Sequence, residues 1–321
     1  MKKKSSTAIN IVIFVVLVSA AFFAISISSE KKGSGQEPSL KEIRVGVSPL
    51  MVMLPIFVAD NQSLFEKHGL RAELIEFQTS ASLFEALITG KIDVAGGSSV
   101  EYHAISSKDP TYLIPIYMNY NDISFISVRK DSDMKNISDL NNKRIAVTPD
   151  HGTFQMNAIA GNAGLDGIET VKLRYPDMMA ALLADKVDAI LVIDPMKTAG
   201  ETSNVSRELV ANPYGKYIYD PWLGGIGVIR SEFKEENPEA ARAIIDAIGE
   251  AIDYYRLHET EALSILPDYI PISHEVALKA AAPRYWKPDE IEWIKVEGFS
   301  NALYDLGVLD SRVDFGKVLK E

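Results

Sequence analysis

The 321-residue sequence predicts an α/β protein of two lobes, each a doubly wound, mainly parallel sheet. Three observations predict it. One block of sequence occurs twice, each copy alternates β-branched runs with amphipathic helical runs, and the connecting loops are short. The first copy occupies residues 44–99 and the second 144–194. Arg44-Val-Gly-Val-Ser-Pro49 returns as Arg144-Ile-Ala-Val-Thr-Pro149, at an offset of 100. Gly69-Leu70 returns as Gly164-Leu165, and Ala86-Leu-Ile-Thr-Gly-Lys-Ile-Asp-Val94 as Ala181-Leu-Leu-Ala-Asp-Lys-Val-Asp-Ala189, both at an offset of 95. One five-residue length change after the first strand accounts for both offsets. Strands alternating with helices on short loops require a parallel sheet covered on both faces. Two copies are too few for a solenoid.

Each copy reads strand, helix, strand, helix, strand. Val45 and Val47 lie in a run ending at Ser-Pro, and Ile145 and Val147 in one ending at Thr-Pro. Leu83, Phe84, Leu87 and Ile88 form an apolar helical stripe; Met178, Met179, Leu182 and Leu183 form its twin. Ser82 with Glu85 has the spacing of a capping box, and Asp177 stands at the matching start. Gly90 closes the first of these helices. His68-Gly69 ends an earlier helix that carries Phe57, Leu64 and Phe65. Residues 74–77 read as the second strand.

Beyond the first copy, residues 112–120 are apolar and aromatic, and 123–129 alternate in a β-rich pattern. Residues 131–142 are polar, anchored by Ile137 and Leu140. After Asp194 the pattern breaks, and Gly224-Gly-Ile-Gly-Val-Ile-Arg230 reads as the next strand. Paired with 123–129, it would form two crossings between the lobes, a hinge that opens and closes. The remainder reads as helical. Asn237-Pro238 starts a helix with Ile244, Ile245, Ile248 and Ile252 inward. Ser273 starts another, and Pro288-Asp289 one that ends at Gly307. These helices return to the first lobe, so that residues 41–127 with 226–321 form lobe I and 128–225 lobe II.

Residues 1–40 stand apart. Lys2-Lys3-Lys4 precedes an apolar run over 11–27, broken only by Ser19 and Ser26. A cleaved signal has an apolar core of ~7–15 residues and a spanning helix needs ~17–25. The run falls between these, so an N-terminal hydrophobic helix that anchors the protein in the membrane and a cleaved signal peptide both stay open. The lysines place the amino terminus in the cytoplasm and the remainder outside the cytoplasmic membrane. Residues 30–39 (EKKGSGQEPS) read as a flexible tether.

Hydrophobic content of 47% and charged content of 24% describe a folded globular chain. A net charge of −11 opposes nucleic-acid binding, but a local site can oppose the global charge. The absence of cysteine removes disulfides, thiolate nucleophiles, iron–sulfur clusters and cysteine zinc sites. It also removes lipid attachment through an amino-terminal cysteine. His68, His103, His151, His258 and His274 show no metal-pair spacing. No cofactor, no metal and no catalytic triad, G-x-S-x-G elbow or phosphate loop is expected.

The order of segments resembles the substrate-binding proteins of ABC importers, in the group serving nitrate, sulfonate, taurine and thiamine-precursor uptake. The resemblance covers roughly residues 41–310. It rests on Val128-Arg-Lys-Asp-Ser132, Ile137-Ser-Asp-Leu140, Lys143-Arg-Ile-Ala-Val147 and Gly164-Leu165, and on the 86–94 segment. It implies a two-lobed type II periplasmic-binding-protein fold, a small-molecule ligand clamped between lobes, ABC permease and ATPase partners, and a monomer.

Physical reasoning leads to the same place. Open α/β sheets bind ligands beyond the carboxyl ends of their strands, where helix amino termini favour a small anion. Ser48-Pro49-Leu50-Met51, Thr79-Ser80, Ser98-Ser99 and His151-Gly152-Thr153 stand at four such ends, and Asp194 at a fifth. Leu50, Met51 and Trp222 would wall the cleft. Each residue also has a structural alternative: Ser80 and Ser82 as helix caps, His151 as a loop residue, Trp222 as core or hinge, and Asp194 as a cap instead of an amine ligand.

The sequence therefore predicts a binding protein, not an enzyme, for a sulfonate, taurine or nitrate. The alternatives are a thiamine-precursor pyrimidine, stacked on Tyr117, Tyr120 and Trp222, a membrane-tethered sensor, and a same-fold enzyme. Eukaryotic pyrimidine-precursor synthases resemble the group but carry a cysteine-rich iron motif, which a chain without cysteine cannot supply.

Overall fold

The computed structural model describes residues 40–318. The first sequence copy forms β1 (Lys41–Val47), a 3-10 turn (Met51–Met53), α1 (Leu54–Asn61), α2 (Leu64–Lys67), β2 (Leu70–Glu76), α3 (Ser80–Ile88) and β3 (Val94–Ser98). It continues through α4 (Ser99–Ser106) and β4 (Leu113–Asn119). Then come β5 (Ser124–Arg129), a 3-10 turn (Ile137–Leu140), β6 (Arg144–Val147), α5 (Gly152–Ala163), β7 (Glu169–Lys172), α6 (Tyr175–Leu183) and β8 (Ala189–Ile193). The chain proceeds through α7 (Met196–Thr202), β9 (Ser206–Ala211), α8 (Pro213–Tyr217) and β10 (Gly225–Arg230). It ends with α9 (Ser231–Glu236), α10 (Pro238–Leu257), α11 (Glu259–Ser264), α12 (His274–Lys279), β11 (Tyr285–Trp286) and α13 (Trp293–Asp305).

Two sheets result, ordered β11-β4-β10-β3-β1-β2 and β7-β6-β8-β5-β9. The duplication is plain in them. β1 lies parallel between β2 and β3, as β6 lies parallel between β7 and β8. Each sheet then admits an antiparallel strand, β10 beside β3 and β5 beside β8, and the first sheet a second one, β11 beside β4. The hydrogen bonds repeat as well. Asp93 accepts from Arg44 N (2.8 Å), Nε (3.1 Å) and Nη2 (2.9 Å). Asp188 accepts from Arg144 N (2.8 Å), Nε (3.1 Å) and Nη2 (3.0 Å).

The expected crossing is corrected here. Residues 123–129 and 224–230 do not pair with each other. β5 pairs with β8 and β9 in the second sheet, and β10 with β3 and β4 in the first. Local alternation reveals a strand but not its partner. The chain passes between sheets in the loops 120–123 and 218–224. Gly224-Arg230 is also not the next strand after Asp194, since β9 intervenes.

Helix starts differ in detail. Ser82 does not open α3; Thr79 caps it, its Oγ1 accepting from Ser82 N at 3.2 Å. α6 begins at Tyr175, so Asp177 lies in its first turn. The last member of each apolar stripe, Ile88 and Leu183, is exposed. Gly90 and Gly164 adopt positive φ, as helix-ending glycines do. On α10, Ile244, Ile248 and Ile252 are fully buried and Ile245 is half-buried. Ser273 caps α12 through Val276 N (3.3 Å). The long final helix starts at Trp293, after a separate 3-10 turn over Pro288–Glu290.

Among the described residues no helix is long and apolar enough to cross a membrane. The expected signal or anchor over 11–27 lies outside them.

Candidate functional site

The carboxyl ends of β3 and β6 deliver two helix amino termini to one joint. Ser98 ends β3 and caps α4, its Oγ accepting from Val100 N at 3.1 Å. Ser98 N in turn donates to Ser80 Oγ (3.1 Å), which ties the α3 start to the α4 start. Ser99 is fully buried and its hydroxyl donates to the Leu223 carbonyl. From the other sheet, β6 turns at Thr148 into α5, with His151 at its N-cap. Gly152 is required there: a Cβ would meet Val147 Cβ at 2.6 Å.

The two termini are joined by a residue the sequence reading did not single out. Glu101 Oε1 lies 2.8 Å from His151 Nε2. Both side chains are largely buried, at 14% and 23% exposure. Burial disfavours the charge on each, but their hydrogen bond and mutual attraction outweigh it. Glu101 is held below the usual carboxylate range and His151, with help from Asp150, above the usual imidazole range. The signal was present in the spacing Ser98-x-x-Glu101, which marks a helix start at a strand end.

The remaining expected site residues divide. Thr79 is exposed, and Ser80, Pro49, Leu50 and Thr153 are partly exposed around these strand ends. Thr153 Oγ1 is itself buried without a hydrogen-bond partner. Ser48 is buried at the end of β1. Met51 does not wall a cleft: it is fully buried, and its carbonyl accepts from Tyr285 Oη at 3.1 Å. Trp222 is core, packed on Tyr214 and edge-on to Phe299, with centroids 4.6 and 5.0 Å away. Asp194 has both oxygens engaged, by Thr198 N (2.9 Å) and Ala281 N (2.7 Å). Its first bond caps α7 and its second ties the second sheet to the segment leading to β11.

The stacking residues are also committed. Tyr117 is fully buried against Tyr285, and Tyr120 stacks on Trp286 with centroids 4.7 Å apart. His103, wholly buried, is pushed down to about 4 by burial and sits among Tyr102, Phe299 and Phe315. Among the described residues no three His, Cys, Asp or Glu side chains gather as a metal site. A cavity of about 810 Å³ opens at the opposite, amino-terminal edge of the first sheet, lined by Arg44, Asp93 and Arg230. These groups are already used, Arg44 by Asp93 and Arg230 by the Leu87 carbonyl.

The sequence pattern of the NMT1-like family matches residues 36–266. The chain belongs to the NMT1-like family. A Bacillus subtilis relative, named as an aliphatic sulfonates-binding protein, is 23% identical over 82% of this chain and 79% of its own. The 4-amino-5-hydroxymethyl-2-methylpyrimidine phosphate synthase THI11 of Saccharomyces cerevisiae is 21% identical over 70% of this chain and 69% of its own. Among solved structures, the periplasmic aliphatic sulphonate binding protein of Escherichia coli superposes with a TM-score of 0.70 at 19% identity, covering 87% and 92% of the two chains. That likeness shows the fold: two α/β lobes of the periplasmic-binding-protein type.

Proposed function

We propose that this NMT1-like chain is an extracytoplasmic solute-binding protein that carries a small solute to an ABC importer. The observation carrying this reading is the joint itself. Two helices from different lobes, α4 after β3 and α5 after β6, meet at their amino termini through Glu101 and His151, at the place where this fold presents strand ends. The positive end of the helix dipole suits an oxyanion there. The proposed contacts are Ser48, Pro49, Leu50, Thr79, Ser80, Ser98, His151, Gly152 and Thr153; Ser99, expected among them, is fully buried and bonded to Leu223. In this reading lobe I carries the first sheet, residues 41–119 with 225–318, and lobe II the second, residues 124–217, with the hinge in the loops 120–123 and 218–224; the expected bounds at 127/128 and 225/226 would cut β5 and β10.

A small anion such as a sulfonate, taurine or nitrate is the ligand class of this reading. The names of the relatives that bind sulfonates support it, as does the repeated use of helix amino termini. The proposed partners are a permease and an ATPase. The membrane is reached through residues 11–27, as an anchor or as a signal removed on export.

The yeast synthase supports a second reading, a pyrimidine ligand of the same fold. Against it, Tyr117, Tyr120 and Trp222 already pack against protein rings. No catalysis is proposed: the Ser98 hydroxyl caps α4 and Ser99 is spent on Leu223. A thermal-shift screen of sulfonates, taurine, nitrate and aminopyrimidines tests the choice, since stabilisation grows with ligand concentration over Kd. Stabilisation by pyrimidines alone would end the anion reading.

A further inference from the structure

Glu101 places an acid where two helix amino termini converge, the position otherwise suited to an external anion. In a capping box the glutamate turns back to the N–H of the cap residue. Here it does not. Ser98 N donates to Ser80 Oγ at 3.1 Å, and Glu101 reaches the other lobe instead. Only Oε1 is satisfied, by His151. Oε2 is buried and has no hydrogen-bond partner. An ionised oxygen taken from water without a donor is costly and calls for one.

We infer that Glu101 sets the specificity of the site: the bound solute carries an ammonium or N–H group that meets Glu101 Oε2, beside the acidic group that faces the helix amino termini. This rests on the ligand lying between the lobes, as proposed above. A bare inorganic anion in the same place would leave Oε2 still without a donor and bring a charge that the Glu101–His151 pair, already offsetting itself, does not balance. Protonating Glu101 would relieve that imbalance, but His151 holds the acid in its charged form. The Ser98 hydroxyl lies close enough to assist that ionisation, yet it does not bond Oε2. A dipolar solute therefore fits the joint better than nitrate or a simple alkanesulfonate.

Two probes that differ by one amino group test this, ethanesulfonate and 2-aminoethanesulfonate, titrated calorimetrically into the full-length protein. The amino compound should bind at least about tenfold more tightly. Glu101→Gln should remove most of that preference, with its melting temperature measured to confirm folding. His151→Gln leaves Glu101 without its cation, so the preference should persist or widen. Binding of both probes without preference, or a preference kept in Glu101→Gln or lost in His151→Gln, overturns the inference and leaves the proposed function standing. Binding of neither probe removes the sulfonate reading and this inference with it.

Discussion

Arg44 and Arg144 show what one residue contributes to a duplicated fold. Each spans from its central strand to an aspartate just before a neighbouring parallel strand, β3 or β8. Each also donates to a backbone carbonyl just before that aspartate, Gly90 or Asp185, at 2.9 Å. The bonds match, but the burial does not. Asp93 is 13% exposed and Asp188 27%. Removing a hydrogen-bonded acid leaves its donors unpaired, at a cost of about 1–3 kcal/mol that falls as water reaches the site. Asp93→Ala should therefore lower the urea midpoint more than Asp188→Ala. Equal losses would mean that burial does not set the cost. At this scale the clamp was readable only as a repeated Arg and a repeated Lys-x-Asp. The geometry joining them needs the parallel register, which no local pattern contains.

At the scale of elements, the close approach of α3 to β3 rests on glycine. A Cβ on Gly97 would lie 2.5 Å from Phe84 Cε2, on a ring that is 2% exposed. Gly97→Ala should cost about 1–3 kcal/mol by overpacking. Gly161 offers the contrast, since it lies within α5 with nothing within 4 Å of an added Cβ. Gly161→Ala should stabilise by about 0.5–1 kcal/mol through helix propensity. Thermal unfolding of both variants checks the pair, and a stabilised Gly97→Ala would refute the contact. The repeated elements were legible because a buried stripe or a β-branched run has its own period. β9 was not, because Arg207 and Glu208 make this edge strand read as polar. β11 spans only Tyr285–Trp286, too short for any period. The partners of β5 and β10 were hidden for a different reason: antiparallel insertion beside β8 and β3 depends on chain crossings far away in sequence. Of the candidate site, the strand ends were legible because Ser, Thr and Gly cluster at them. The burial of Met51 and Trp222 was not, because an apolar loop residue looks alike whether it faces a ligand or a core.

For the whole molecule, among the described residues, Asp194 and His151 each tie a strand end of the second sheet to the first lobe. Asp194 reaches Ala281 N, and His151 reaches Glu101. The second tie joins two titratable groups, Glu101 lowered and His151 raised. Facing it are Glu101 from α4 and Asp150 from the His151 loop. When the lobes part, each group returns toward its ordinary value. Glu101 is lowered in the joined state, so its contribution is present above the ordinary carboxylate value and fades as pH falls through the lowered one. His151 is raised, so its contribution is full below the ordinary imidazole value and fades as pH rises through the raised one. Lobe association should therefore be strongest between about pH 4.3 and 6.5 and weaken on both sides. Small-angle scattering of the ligand-free protein should show the radius of gyration rising as pH climbs from that window toward 9. In His151→Gln the alkaline rise should vanish while the Asp194 tie remains. A wild-type radius that falls on the same alkaline titration would mean that the lobes meet without help from this pair.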